Sequence, residues 1–327
     1  MRDVTERPLR ILATVTFHFR ESRLQYLFQV VRALCEYPVE VLDIVITTNV
    51  DRDDAFKQIR DVCAPLFRPF PARPNSSKNL SIESFPTLSD PWLLPWGHKH
   101  LIAEQFLRAK VNYTHFIYVE DDVLLSFDNL CYFIHYREIL NERRLIPSFQ
   151  RIEYNDADNH LYLVDQVGVT DLSSKTRVDL DGYAFVNLDY PFNAMFILDR
   201  ELALEYVETP SFDRQRSKLV RPEWDVACRA AMGLCFENPP AGFTARYVSP
   251  IDLSTLTTPS WSWVYHLPNN YAKDSSKPFA KTRTDQQFSS EANVGSWRPT
   301  SRVVSKTIEY LALMLGKKRY NGPDSSL

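Results

Sequence analysis

Glycine is scarce in this chain, with eight among 327 residues. None lies in a Walker loop or a G-x-G-x-x-G run, so the two common backbone cradles for phosphate are excluded. A diphosphate would then be held through a metal ion and a few side-chain donors. Cysteine is also sparse. Cys35, Cys63, Cys131, Cys228 and Cys235 are an odd number with no C-x-x-C spacing. That pattern excludes a disulfide framework or zinc site and fits reduced thiols in a reducing compartment. No apolar run reaches membrane-spanning length, and residues 1–7 lack the apolar core of a secretory signal. The expected location is therefore cytoplasmic. Positive charge is not in excess: the net charge of -3 gives no basic field for nucleic acid. Asn75, Asn79 and Asn112 head glycosylation sequons, a triplet too frequent by chance to carry weight. The remaining composition, 44% apolar and 24% charged, is that of a globular chain with one large or two small domains.

Residues 9–16 read as a buried strand and residues 39–48 as a second. Between them Leu24, Leu27, Phe28, Val31, Leu34 and Cys35 recur at helical spacing, and residues 51–60 form a second, charged helix. This order predicts an α/β fold with a mostly parallel, doubly wound sheet flanked by helices. The loop after the first strand of such a sheet faces the ligand, which makes His18, Arg20 and Arg23 candidates for the base or diphosphate of a nucleotide. A surface cation at a helix start is the plainer reading of Arg23. Residues 64–98 are rich in proline and serine with little periodicity, so a long irregular segment is expected there.

Residues 114–125 organise the rest. Thr114-His115-Phe116-Ile117-Tyr118-Val119 is a short apolar run that ends in Glu120-Asp121-Asp122, after which apolar residues resume. Three adjacent carboxylates at the end of a core strand repel one another, and a divalent cation is the usual remedy. A solvated acidic turn is the alternative, which the apolar flanks on both sides disfavour.

The triplet resembles the Asp-X-Asp-type metal site of GT-A glycosyltransferases, which transfer a sugar from a nucleotide-sugar donor. The resemblance implies that Asp122 binds Mn²⁺ or Mg²⁺, and that Asp121 or Glu120 meets the ribose or the metal. It implies a Rossmann-like sheet with a smaller mixed β region on the acceptor side. Residues 1–126 would be the donor half, 127–272 the acceptor-side and catalytic half, and 273–327 a mobile segment and helix. It adds Trp96, Gly97, His98 and Lys99 as donor-pocket residues, against the reading of a packed helix start. Asp225, with Glu223 second, would face the acceptor hydroxyl as general base, while a helix-start role explains Glu223 well. His266 would join Asp122 at the metal, against the reading of a histidine packed among aromatics. Short patches, Tyr265-His266-Leu267, Phe279-Ala280-Lys281 and Asp225-Val226-Ala227, are faintly similar to the exostosin-like family. That family retains anomeric configuration, which would make Asp225 a positioning residue.

After the triplet a helix is expected over 127–140, then strands within 144–154, 160–166, 182–188 and 191–198, with Asp199 as the N-cap of a following helix. A last short strand is expected over 244–248. Residues 273–301 are polar and read as weakly structured. Residues 303–315 read as a helix with a basic end, packed on the domain or a partner, or lying on the inner membrane surface. The function expected is metal-dependent transfer of a sugar from a nucleoside-diphosphate sugar to a glycan or glycolipid, in bacterial surface polysaccharide synthesis. A nucleotidyltransferase lacks its glycine-rich signature here, and a non-catalytic sugar-binding protein on the same fold is the remaining alternative.

Overall fold

The computed structural model describes residues 8–67 and 76–289. β1 (Arg10–Phe17), α1 (Leu24–Cys35), β2 (Val41–Thr48) and α2 (Asp53–Cys63) follow the expected alternation. The apolar stripe of α1 buries Leu27, Val31 and Leu34 against the sheet cluster. β3 (Ser77–Ser84) corrects the expected irregular segment, because it pairs in parallel with β2 along its whole length. It sits at the edge of the sheet, where only Leu80 and Ile82 pack on the core. An edge strand needs no continuous apolar run, so its polar alternation passed for loop.

Residues 91–106 are helical throughout. A 3-10 stretch (Pro91–Gly97) runs into one α turn, α3 (His98–His100), and then a π turn (Leu101–Phe106). β4 (His115–Glu120), β5 (Val123–Leu124) and α4 (Phe127–Leu140) follow, and Ser126 and Asn129 cap α4 reciprocally. The second half contains β6 (Ile146–Pro147), β7 (Gln150–Asn155), β8 (His160–Leu163), β9 (Thr170–Asp171), β10 (Arg177–Leu180), β11 (Tyr183–Val186) and β12 (Met195–Asp199). It continues with α5 (Arg200–Glu208), α6 (Val226–Ala231), β13 (Tyr247–Asp252), β14 (Trp263–His266) and α7 (Asn270–Lys273). Asp199 caps α5 as expected, accepting from the Leu202 amide at 2.8 Å. The strand expected over 244–248 begins later, at Tyr247.

The main sheet has the order β12-β4-β1-β2-β3, parallel except for β12. The fold is thus α/β and Rossmann-like, with smaller mixed sheets built from the second half. The chain winds outward from β1 through β2 to β3, then returns to the other side of β1 with β4. The strand order therefore reverses between β1 and β4, and a crevice opens beyond their carboxyl ends. Phe116, Tyr118 and Glu120 share one face of β4. That face packs on residues 91–106, with the His98 ring 4.4 Å from that of Tyr118. The opposite face meets α4, where the rings of His115 and Phe133 lie 6.4 Å apart.

The polar tail carries more structure than expected up to Ser289. β15 (Thr282–Arg283) pairs with β8, and β16 (Phe288–Ser289) pairs with β9. Ala280, Thr282 and Gln287 are buried there, singly rather than in a run, so composition concealed them. The helix expected over 303–315, and the membrane contact assigned to it, lie outside the described residues. No helix among the described residues is long and apolar enough to cross a membrane.

Candidate active site at the switch point

The crevice is a cleft of about 400 Å³, within the range of small-molecule sites. Its floor is set by backbone register. Thr16 pairs with Glu120 across β1 and β4, and the Asp121 amide donates to Thr16 O at 3.1 Å. Just past Asp122, Val123 and Leu124 form β5, which pairs antiparallel with β14 so that Val123 lies opposite His266. The Leu267 amide closes the turn on Asp122 O at 2.9 Å. Two stretches distant in sequence are thus clamped together by main-chain bonds. His266 Nε2 lies 3.5 Å from Asp122 Oδ2. The His266 ring stacks on Tyr271 at 5.1 Å, whereas Trp261 packs elsewhere, against Tyr132 and Tyr136.

The positive charge that the triplet requires comes first from Arg23. Its Nε and Nη2 donate to the two oxygens of Asp121 at 2.8 and 2.7 Å. The same Nη2 donates to Asp122 Oδ2 at 2.7 Å. Arg151 enters the cleft from β7 and is held by a bidentate pair with Asp165 at 2.8 and 2.6 Å. Behind His266, Glu153 is fully buried. Its Oε1 lies 2.6 Å from His266 Nδ1, and its Oε2 accepts the Tyr271 and Ala272 amides at 2.9 and 2.6 Å.

Burial and the Asp122 charge push the Glu120 carboxyl up to about 8, and burial lifts Asp121 to about 7. Asp122 is buried as well, yet His266 and Arg23 hold it down to about 2. His266 is raised, because its bonds to Asp122 and Glu153 outweigh burial. Among the described residues, the carboxylates of Glu120, Asp121, Asp122, Glu153 and Asp165 pair with Arg23, Arg151 and the His266 imidazole. The cluster carries surplus negative charge that protons or an added cation must balance. One oxygen of the triplet is left over: Asp122 Oδ1 is buried without a hydrogen-bond partner. Among the described residues no group of three or more His, Cys, Asp or Glu is arranged to hold a metal ion. A hard divalent cation needs none when one or two carboxylates bind it and substrate phosphate oxygens and water complete the shell.

His18 and Arg20 line the cleft beside Arg23. Burial, then the charges of Arg20 and Arg23, lowers the pKa of His18. Its Nε2 lies 3.4 Å from Asn49 Nδ2 at the end of β2.

The structure places Trp96, Gly97, His98 and Lys99 behind the cleft wall instead of in it. The wall itself is Pro91, Trp92, Leu94 and Pro95. Trp96 Nε1 donates to Val226 O at 2.9 Å and ties the segment to α6. A Cβ on Gly97 would stand 2.8 Å from the Phe85 ring, so glycine serves packing there. His98 is fully buried, its Nδ1 2.6 Å from Pro95 O. Lys99 is buried too, bonded to the Tyr206 hydroxyl and to Ser211 O and Ala230 O at 3.3 Å. The one turn that looked like a ligand cluster is a core helix turn, because the buried flank of residues 91–106 falls on it.

Asp225 and Glu223 do not line the cleft either, although Ala227 does. Asp225 is the N-cap of α6: Oδ1 accepts the Cys228 amide at 2.7 Å and Oδ2 meets Cys228 Sγ at 3.3 Å. The cap belongs to Asp225, and Glu223 pairs instead with Arg221 at 3.4 Å. The start of α6 still borders the acidic end, because the Cys228 thiol, raised chiefly by burial and by Asp225, also feels Glu120.

Sequence reasoning missed Arg151, Glu153, Trp92 and Tyr271. The available signal was Gln150-Arg151-Ile152-Glu153, where charged side chains alternate along a strand that has no free face to spare.

No protein-family model matches the chain, and no curated protein sequence matches it. Among solved structures it is similar to the crystal structure of residues 1–349 of S. aureus TarS, at 9% identity and a TM-score of 0.27. The match covers 44% of this chain and spans 36% of that one, an overlap too slight to bear on fold or chemistry.

Proposed function

We propose that this chain is a metal-dependent glycosyltransferase that moves a sugar from a nucleoside-diphosphate sugar to a glycan or glycolipid acceptor. The observation that carries this reading is the buried, unpartnered Oδ1 of Asp122, a residue at the strand-order switch point that lines the cleft with Arg20 and Arg23. Asp122, with His266 beside it, would hold Mn²⁺ or Mg²⁺, and phosphate oxygens and water would complete the shell. When bound, that ion would supply charge to stabilise the departing diphosphate. Arg20 and Arg23 would orient the diphosphate, and His18 and Asp121 would meet the nucleoside. The acceptor would enter past Trp92 and the start of α6.

In the transfer, the acceptor oxygen bonds to the anomeric carbon while the carbon–oxygen bond to the diphosphate breaks, its electron pair leaving with the diphosphate. The acceptor proton would pass to a carboxylate, with Asp225 at the helix start as the candidate base. A retaining course would leave Asp225 to position the acceptor.

The test is hydrolysis and transfer across a panel of nucleotide-sugars, with Mn²⁺, with Mg²⁺ and with chelator, for the wild type and Asp122→Asn. Metal-dependent turnover that vanishes in the variant supports the reading. Tight nucleotide-sugar binding with no turnover on any acceptor would assign a sugar-binding protein instead. Full activity of Asp122→Asn in chelator would remove the metal from the mechanism.

A further inference from the structure

We propose that Arg23 is an exchangeable counter-ion, which fills the cation position between Asp121 and Asp122 and yields it when a divalent cation and a diphosphate arrive together. The proposal rests on the preceding reading of the cleft as a nucleotide site, and concerns how that site is switched.

The carboxylates are the fixed partners. The Asp121 and Asp122 side chains are only 4% and 9% exposed, and the turn that carries them is pinned by main-chain bonds to Thr16 and Leu267. Arg23 is the movable partner, 30% exposed and reaching in from the rim on a long side chain. It occupies Asp122 on one oxygen only, while the other is buried and unpartnered. A cation bound at that free oxygen would sit close to the guanidinium, with the two positive charges repelling across a buried site. Simultaneous full occupancy of Asp122 by both is therefore disfavoured.

The alternative partner for Arg23 is built into its place in the chain. Arg23 stands at the junction between the 3-10 turn (Glu21–Arg23) and α1, and its backbone is the N-cap of that helix. A cation is poorly placed at the positive end of a helix unless an anion compensates. Asp121 and Asp122 supply that compensation in the ligand-free chain. Once a cation claims Asp122, an incoming diphosphate can supply it, held by the same guanidinium, by Arg20 and by the helix end. Cation and diphosphate then bind as a coupled pair, each relieving a charge the other exposes.

The experiment measures Mn²⁺ binding by EPR and calorimetry, without nucleotide and with UDP or GDP as probes, in the wild type, Arg23→Gln and Arg23→Lys. Without nucleotide, Arg23→Gln is expected to bind Mn²⁺ at least tenfold tighter than the wild type. The diphosphate should strengthen Mn²⁺ binding strongly in the wild type and little in Arg23→Gln. Arg23→Lys, which keeps a charge but cannot span both carboxylates, should fall between, and it carries the test if Arg23→Gln does not fold. Equal or weaker Mn²⁺ binding in the folded variants overturns the proposal and makes Arg23 a strut. Binding of Mn²⁺ to neither protein, with or without a diphosphate, overturns the metal reading itself and this proposal with it.

Discussion

Glu153 is the least exposed acid of the site and the one most fully satisfied by hydrogen bonds. With one oxygen on His266 Nδ1 and the other on two backbone amides, it fixes the ring so that Nε2 faces Asp122. A carboxylate behind a histidine selects the tautomer and raises its basicity as a ligand. Glu153→Gln keeps the volume but offers only one acceptor oxygen. We expect that substitution to cost roughly 10- to 100-fold in Mn²⁺ affinity or Mn²⁺-supported activity. Mg²⁺-supported activity should suffer less, since Mg²⁺ prefers oxygen ligands to imidazole. Parallel titration of the two metals checks this. An equal loss with both would make Glu153 a folding residue only. Asp122→Asn belongs to the same scale: it keeps the shape of a side chain bonded by Arg23 and removes the free carboxylate oxygen. Calorimetry should show nucleotide binding in the variant that no longer depends on metal.

At the scale of elements, α6 offers a separation that sequence alone could not. Asp225 caps the helix through the Cys228 amide and is also the candidate base. Asparagine caps as well as aspartate but cannot take a proton, whereas alanine does neither. Asp225→Asn should therefore leave thermal stability unchanged, while Asp225→Ala loses about 1 kcal/mol. If Asp225 is the base, both should lower kcat by roughly two to four orders of magnitude. A kcat loss that follows stability, present in the alanine variant and absent in the asparagine one, would leave Asp225 a cap and nothing more. The neighbouring segment 91–106 shows the same doubling of roles. Its first turn lines the cleft through Trp92, and its next turn fills the core through His98 and Lys99.

At the scale of the whole molecule, buried neutral histidines link stability to pH. His98 is fully buried among Phe116, Tyr118 and Phe196, and burial holds its pKa well below the ordinary value. Burial pulls His115 down to about 4, on the opposite face of β4. In the unfolded chain both take up protons as pH falls through about 6.5, while the native state refuses them. The contribution of these histidines is therefore complete above that value and declines as pH drops from about 6.5 toward 4, by up to about 1.4 kcal/mol per pH unit for each. Glu120, Asp121 and His266, whose native pKa values are raised, act in the opposite sense over this range. The histidine contribution is therefore read as a difference: in urea unfolding between pH 8 and 5, His98→Gln should lose less stability on acidification than the wild type. Identical slopes for the two proteins would mean that His98 is solvated or charged in the native state.

Much of the architecture was legible in the sequence because its signals are local. The runs of β1, β2 and β4, the stripe of α1, the helix α4 and the cap of α5 depend on residues a few positions apart. The acidic triplet was legible for the same reason, since three consecutive carboxylates after an apolar strand are visible without any partner. What the sequence could not show was which side chains the fold carries to that triplet. Arg23 reaches it across β1, His266 through the pairing of β5 with β14, and Arg151 and Glu153 through the pairing of β7 with β14. Conversely, His98 and Lys99 looked reactive in the sequence and became core, because a helix that borders a cleft turns its next residues inward. β3 was missed because an edge strand satisfies one row of backbone bonds without a buried run. The sequence determined where negative charge would gather. Only the tertiary structure decided which positive groups answer it, because long-range strand register sets those distances and leaves no local pattern along the chain.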